Sequence, residues 1–291
     1  MTPRATAPGR PAVRAFLRRR TAVAGAALVA ANVLIAVLAP VLARVDPEAL
    51  DVRGRLSAPS ARHWLGTDHV GRDAWSRVVY GARLSIVVGG AVVAVAFSAG
   101  IVFGLVGGYY RGLDNALMRM MDGLMAFPGI ILAIALMASL GPSVLNVIVA
   151  LGIVYVPRVA RIVRGSVLVV RETPYVEAAR ALGIPDARIL LRHVLPNCVS
   201  PIIVQITFIF AAAVLGEAAL SFLGVGVPPQ VPSWGNVLAE GRLYLQQAPW
   251  LTLGPGAAVM ASILGLNLFG DGLRDLLDPR LRGATGATRE T

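Results

Sequence analysis

Six apolar runs separated by short polar stretches govern what this chain can fold into: about 21–43, 84–106, 124–140, 143–163, 198–221 and 250–270. A helix needs about 20 apolar residues to cross a hydrocarbon layer of roughly 30 Å. Inside that layer every backbone polar group must find its partner within the protein, which leaves the helix as the natural solution for isolated runs of this length. The fold class expected is therefore an all-α integral membrane protein with six transmembrane helices. Composition agrees, with 56% hydrophobic and 15% charged residues, against about 25% charged in soluble domains.

The first run follows a basic tail, residues 1–20, that carries six arginines. Its 23 residues, 21–43, exceed the roughly 7–15 of a signal peptide's apolar region, so an uncleaved first span is expected. Phe16 and Leu17 precede the arginine run rather than follow it, which argues against a twin-arginine signal. Six spans put both termini on one side. That side, comprising the N-tail, 107–123, 158–192 and the C-tail 271–291, holds nineteen arginines, whereas the opposite loops 44–83 and 222–249 hold eight. Positive charge accumulates on the cytoplasmic face, so both termini and the central polar stretch are expected in the cytoplasm. The net charge of +11 is thereby explained by topology and by anionic membrane lipid rather than by nucleic acid.

All 27 basic residues are arginine. A phosphate-binding loop of the form G-x-x-x-x-G-K-[ST] requires lysine, so if ATP drives this protein another chain binds it. The single cysteine, Cys198, rules out an internal disulfide or a cysteine metal cluster and reads as a packed thiol. Neither a cofactor nor a metal is expected.

Between the fourth and fifth runs lies the polar stretch 171–197, R-E-T-P-Y-V-E-A-A-R-A-L-G-I-P-D-A-R-I-L-L-R-H-V-L-P-N. Thr173 suits an N-cap, Pro174 a first helical position and Gly183 the residue past the helix end, which predicts a short helix at about 174–182. Tyr175, Ala178, Ala179 and Leu182 fall at i, i+3, i+4 and i+7, one apolar face. Pro185 starts a second helix expected to stop near Leu195, before Pro196, with Ala187, Leu190, Leu191 and Val194 repeating the spacing.

This stretch resembles the cytoplasmic loop of the inner-membrane permease subunits of binding-protein-dependent ABC importers. That loop carries Glu-Ala-Ala, three residues, Gly, nine residues, then Ile-x-Leu-Pro. Glu177, Ala178, Ala179, Gly183, Leu195 and Pro196 stand at those positions, and His193 replaces the Ile. The resemblance implies a type I importer permease whose two-helix loop, including Tyr175 and Leu182, couples to an ATPase. It further implies a second permease completing a heterodimer, two ATP-binding subunits, an extracytoplasmic solute-binding protein and a bacterial inner-membrane location. On this basis 84–270 is the five-helix core permease domain containing the coupling loop.

His63 to Ser85, H-W-L-G-T-D-H-V-G-R-D-A-W-S-R-V-V-Y-G-A-R-L-S, resembles the dipeptide, oligopeptide and nickel branch, C-type subunit. Its turns lead into an expected amphipathic helix at the interface from Trp75 to Tyr80. His63 and His69 are read as hydrogen-bonded turn residues rather than metal ligands, since their spacing matches no helical pair. Gly100, Gly104 and Gly108 form a small-xxx-small face for a close helix crossing. Pro128 in D-G-L-M-A-F-P is expected to kink or open the third span. Arg158, Arg161 and Arg164 can reach cytoplasmic headgroups.

Glu217 is the one acidic residue placed inside a span. It either lines the translocation path or fixes a gate, or else it reaches headgroup water or a neighbouring helix. Asn146, Gln205, Ser262 and Asn267 are polar groups in spans that either line the path or join helices. The 222–249 loop, rich in proline and glycine, resembles the branch's external loop, with Ser233, Trp234 and Gly235 as candidates for docking the binding protein. Asp271 to Asp278 is expected as a separate charged helix ended by Pro279. An ion-coupled secondary transporter and an intramembrane enzyme compete with the importer. The first has only Glu217 as a coupling carboxylate, and the second lacks a nucleophile and base within the spans.

Overall fold

The computed structural model describes residues 16–17 and 19–277. The N-tail up to residue 15, and Asp278, Pro279 and the rest of the C-tail, lie outside the described residues. Among the described residues the regular elements are all helices, joined by irregular segments such as 43–73 and 223–233, with one isolated bridge between Thr67 and Asp73.

The first span is α1 (Arg20–Val37), which breaks at Leu38 ahead of a single turn, α2 (Ala39–Leu42). Pro40 in that turn has no N–H to continue the ladder of α1. The chain then runs through residues 43–73 to α3 (Ala74–Tyr109), an unbroken helix of 36 residues. Asp73 begins it by accepting the Ser76 N–H at 2.8 Å, while its other oxygen meets His63 Nδ1 at 2.8 Å. The expected separate interfacial helix is thus absent: Trp75 to Tyr80 are the first turns of α3. Capping at Asp73 lets the helix begin there, and nothing between Tyr80 and Leu84 breaks it.

The third span departs furthest from expectation. Instead of one helix over 124–140, an amphipathic helix α4 (Arg111–Met125) meets α5 (Gly129–Leu140) at 86°. Pro128 sits at the hinge and disfavours helical backbone at Phe127. The 12 residues of α5 rise only about 18 Å, short of a full crossing. Among the described residues five helices are long and apolar enough to cross a membrane, six with the bent pair.

Helix α6 (Val144–Val170) packs most extensively against α3. Gly100, Gly104 and Gly108 of α3 lie against Val159, Val163 and Val167 of α6, and the Val163 Cβ comes within 2.6 Å of where a Gly104 Cβ would stand. The glycine face therefore does what its spacing predicts. Arg164 and Arg161 do not reach outward alone: Arg164 pairs with both carboxylate oxygens of Asp114 at 2.6 Å, and Arg161 meets Asp122 at 2.5 Å, so they fasten α4 to α6.

Beyond the polar stretch, α9 (Val199–Phe222) leads to a short helix, α10 (Trp234–Gly241), and to α11 (Trp250–Leu277). Helices α7 and α8 belong to the polar stretch and are described below. The charged residues from Asp271 onward continue α11 through Leu277 rather than forming their own helix, because no glycine–proline break precedes them.

Candidate functional site: the 171–198 loop and the two ends of the bundle

The polar stretch folds as α7 (Pro174–Ala181), a reversal at Gly183, and α8 (Asp186–Ile189). Pro174 occupies the start of α7 and Thr173 its N-cap position, but the Thr173 hydroxyl donates back to the Val170 carbonyl at 2.5 Å instead of capping. Gly183 has φ +73°, the left-handed conformation that closes a helix, and its N–H donates to the Arg180 carbonyl. Nothing lies within 4 Å of a Cβ there, so the requirement for glycine is conformational.

The second helix does not stop before Pro196. After α8 the backbone widens to a π-turn over Leu190–Val194, tightens to 3-10 turns over Leu195–Cys198, and passes directly into α9. Changing the hydrogen-bond span twice removes the need for a proline N–H, which is why the chain stays helical through Pro196.

Burial corrects the expected faces. Val176 and Ala179 of α7, with Ile189, Leu190 and Val194, are buried in a core shared with α3 and α6. Tyr175, Ala178 and Leu182, at i, i+3 and i+7, are exposed, Leu182 by 80% and Tyr175 by 42%. Leu191 is 64% exposed and Ala187 is also exposed. Glu177 and Pro196 point to solvent and Leu195 is half-buried. The loop thus spends one set of apolar residues on its own body and presents another.

Charged groups secure it. Arg171 Nη1 donates to the Gly108 carbonyl at 2.6 Å, the Tyr109 hydroxyl donates to Asp186 Oδ1 at 2.6 Å, and the Arg180 guanidinium lies 5.4 Å from the Tyr109 ring centre. Both halves of the loop are therefore tied to the last residues of α3.

At the opposite end of the bundle sits a charge cluster that local spacing does not reveal. Arg77, fully buried in α3, donates to Asp68 Oδ2 at 2.7 Å and to Glu240 Oε2 of α10 at 2.6 Å; Arg72 bridges the same two carboxylates at 2.6 and 2.8 Å. Burial pushes the Asp68 carboxyl upward, but Arg72, Arg77 and the N–H groups of Val70 and Arg72 outweigh it and hold the group below its usual range. His69 stacks on Tyr244 with its Nδ1 3.8 Å from Glu240. Asp68, His69 and Glu240 cluster closely enough to suggest a cation, yet two guanidinium groups already balance the two carboxylates. Both histidines therefore sit in hydrogen-bonded or stacked turn positions.

Ser233, Trp234 and Gly235 do not offer a docking surface. Ser233 and Trp234 are 0% and 2% exposed, and Gly235 is buried. The Ser233 hydroxyl accepts the Asn236 N–H to start α10, Trp234 Nε1 donates to the Val78 carbonyl at 2.8 Å, and a Cβ on Gly235 would strike the Ala218 carbonyl. They lock α10 onto α3 and α9; Leu223, Gly224, Pro229 and Gln230 are among the exposed residues of that loop.

The candidate path residues separate. Glu217 is fully buried and accepts the Ser221 hydroxyl at 2.8 Å on Oε1, so it does not reach headgroup water. Asn146 donates to the carbonyls of Leu140 and Gly141 at 2.8 and 3.0 Å, closing the end of α5 rather than facing a path. Ser262 joins α11 to Asn32 of α1 at 2.8 Å. Asn267 is half-buried on α11. Gln205, whose Nε2 has no partner among the described residues, lines an open cavity of about 450 Å³ with Ser200, Phe208 and Arg274 near the loop end. Cys198 is buried, as a packed thiol should be.

Comparison with known proteins supplies a second, independent line. The family described as "Binding-protein-dependent transport system inner membrane component" matches residues 100–283, and the "N-terminal TM domain of oligopeptide transport permease C" matches residues 8–59. A putative peptide transport system permease protein of Brucella suis is 51% identical over 269 residues, covering 92% of this chain and 91% of its own. The dipeptide transport system permease protein of Alkalihalophilus pseudofirmus is 44% identical over 279 residues, covering 96% and 92%. The glutathione transport system permease protein of Pectobacterium atrosepticum is 43% identical over 271 residues, covering 92% and 90%.

Proposed function

This chain belongs to the inner-membrane components of binding-protein-dependent transport systems and is a transmembrane permease subunit of an ABC importer, a premise from which we propose that it carries short peptides and that the 171–198 loop is its dock for a separate ATPase. The similar proteins are named for peptide, dipeptide and glutathione transport, and each of those solutes is a short peptide or contains peptide bonds. One observation carries the docking assignment. Tyr175, Ala178 and Leu182 form an exposed face on a helix whose other face is buried, and Ala178 is small enough for a partner's backbone to approach closely. An exposed apolar face on a well-anchored element marks an interaction site.

Residues 171–198, the C-tail and both termini face the cytoplasm in this reading, on the strength of the arginine distribution. The chain lacks lysine and with it any lysine-based phosphate loop, so hydrolysis falls to two ATP-binding subunits. A second permease completes the path in a heterodimer, and a solute-binding protein delivers the peptide from outside. Gln205 and the cavity beside it lie on this path near its cytoplasmic mouth, while Glu217 and Asn267 flank it.

A Leu182→Asp variant places a charge at the most exposed large side chain of that face without touching the buried one. It is expected to insert and pack normally, yet to retain less than about a tenth of the ATPase subunit in detergent pull-downs, as for an interface anchor worth 2 kcal/mol or more. Retention equal to wild type would remove the docking assignment.

A further inference from the structure

The loop is tied to α3 at two points and α3 is tied to α10 at two more, with no break between. At the loop end the Tyr109 hydroxyl bonds Asp186, and Arg171 bonds the Gly108 carbonyl. At the far end Arg77 holds Glu240, and the Val78 carbonyl accepts the Trp234 indole N–H. Arg77 and Tyr109 lie on one continuous helix, about 48 Å apart along its axis. Such a helix passes a displacement from end to end only if both ends are gripped, and each grip here is directional and charge-assisted or buried.

We propose that α3 is the transmission rod of this permease, that Tyr109 and Asp186 are the joint by which the cytoplasmic loop moves it, and that Arg77 and Glu240 deliver the movement to α10 at the outer mouth. This rests on the loop being the ATPase dock. Tyr109 and Asp186 are positioning residues, which act through α3. The α7 half of the loop is joined covalently to α6 through residues 171–173, whereas the α8 half meets α3 through the buried Ile189, Leu190 and Val194 and through the directional bond of Asp186 to Tyr109. The apolar patch is non-directional, so it is the Tyr109–Asp186 bond that stops α8 sliding over α3 and makes α3 follow it. Asp186 and the exposed Arg180 are the charged groups that meet Tyr109, and a charge-assisted bond of this kind shifts an equilibrium by about tenfold or more.

The test uses the complete transporter in nanodiscs with its ATPase subunits, in a Cys198→Ala background carrying Leu243→Cys. Leu243, 74% exposed just after α10, reports the outer end through its rate of reaction with a membrane-impermeant maleimide. ATP with vanadate is expected to change that rate several-fold in the unmodified joint. Tyr109→Phe and Asp186→Asn should each abolish the change while ATPase retention and basal hydrolysis persist, and the double variant should be no worse than either single one. Glu240→Gln should give the same phenotype from the other end. Asp114→Asn, which cuts the neighbouring Arg164 pair at the same end of the bundle, should keep the response and so separates transmission from general loosening. A response preserved in Tyr109→Phe and Asp186→Asn, or lost equally in Asp114→Asn, would overturn the rod. Failure of the wild-type chain to retain its ATPase would overturn the docking reading as well, and the pull-down reports that separately.

Discussion

Replacing Gly104 by alanine sets two effects of known size against each other. Alanine favours a helix interior over glycine by about 1 kcal/mol. At this position, however, the added Cβ would stand 2.6 Å from the Val163 Cβ and 2.7 Å from the Ala160 carbonyl oxygen, whereas carbon atoms rest at about 3.5–4.0 Å. Neither obstacle can rotate away, since one is backbone and the other is the root of a β-branched side chain. Relief must come from separating α3 and α6, which also lifts Gly100 and Gly108 off Val159 and Val167. Overpacking of a tight site costs about 1–3 kcal/mol, and two immovable contacts put Gly104 at the upper end. The net expectation is a loss of about 2 kcal/mol, read as a shift in the reversible SDS-unfolding midpoint of the purified chain in mixed micelles. Gly123 in α4 has nothing within 4 Å of its Cβ position, so Gly123→Ala should be neutral or gain up to about 1 kcal/mol. A Gly104→Ala chain as stable as wild type, or a Gly123→Ala chain equally weakened, would refute the steric argument.

Two further outcomes follow from the far-end cluster. Asp68 is held below its ordinary pKa, so its contribution is fully present above the unfolded value of about 3.9 and disappears as pH falls through the folded one. Thermal melts should therefore show a gap between wild type and Asp68→Asn that is constant from pH 7 to about pH 5 and closes below about pH 4; a gap that survives full acidification would contradict the ion pairs. Trp234→Phe deletes the indole bond to Val78 and part of a buried ring, and should cost about 1–3 kcal/mol of stability through the lost packing and hydrogen bond. It should also speed proteolysis near α10; reduced affinity for the binding protein at unchanged stability would instead restore Trp234 as a docking residue.

What could be read in advance was what depends on local spacing. The apolar runs located the spans, the four-residue glycine rhythm located the α3–α6 seam, and Pro174, Gly183 and Pro185 located the elements of the loop. Failures arose where distant residues decide. Nothing near Arg77 in the chain announces Glu240, 163 positions away, and without that partner an arginine looks like a headgroup anchor rather than a buried strut. Trp234 carried a weak signal, because an indole N–H must find an acceptor wherever it is buried. Helical spacing grouped Tyr175, Ala178, Ala179 and Leu182 but could not say which edge of that arc the protein keeps for itself. That choice was made by Val176, a neighbour outside the arc that is completely buried. Pro128 signalled a break, but the 86° turn depends on α4 being pinned to α6 through Asp114 and Asp122.

The two kinds of adhesive in this bundle differ in what they permit. The α3–α6 seam is glycine against valine, close-packed and without side-chain hydrogen bonds across it, so any sliding would cost overlap at every step and the pair can move only together. The contacts at the two ends of α3 are of the opposite character: a tyrosine on an aspartate, an arginine on a carbonyl, an arginine shared by two carboxylates. The partly buried bonds at the loop end can exchange partners with water at modest net cost, because each lost bond is replaced by a solvent one, whereas the buried Arg77–Asp68 pair holds its place. Motion imposed on the loop should therefore carry the α3–α6 pair as one body, with the contacts at its two ends deciding how much of that motion is passed on.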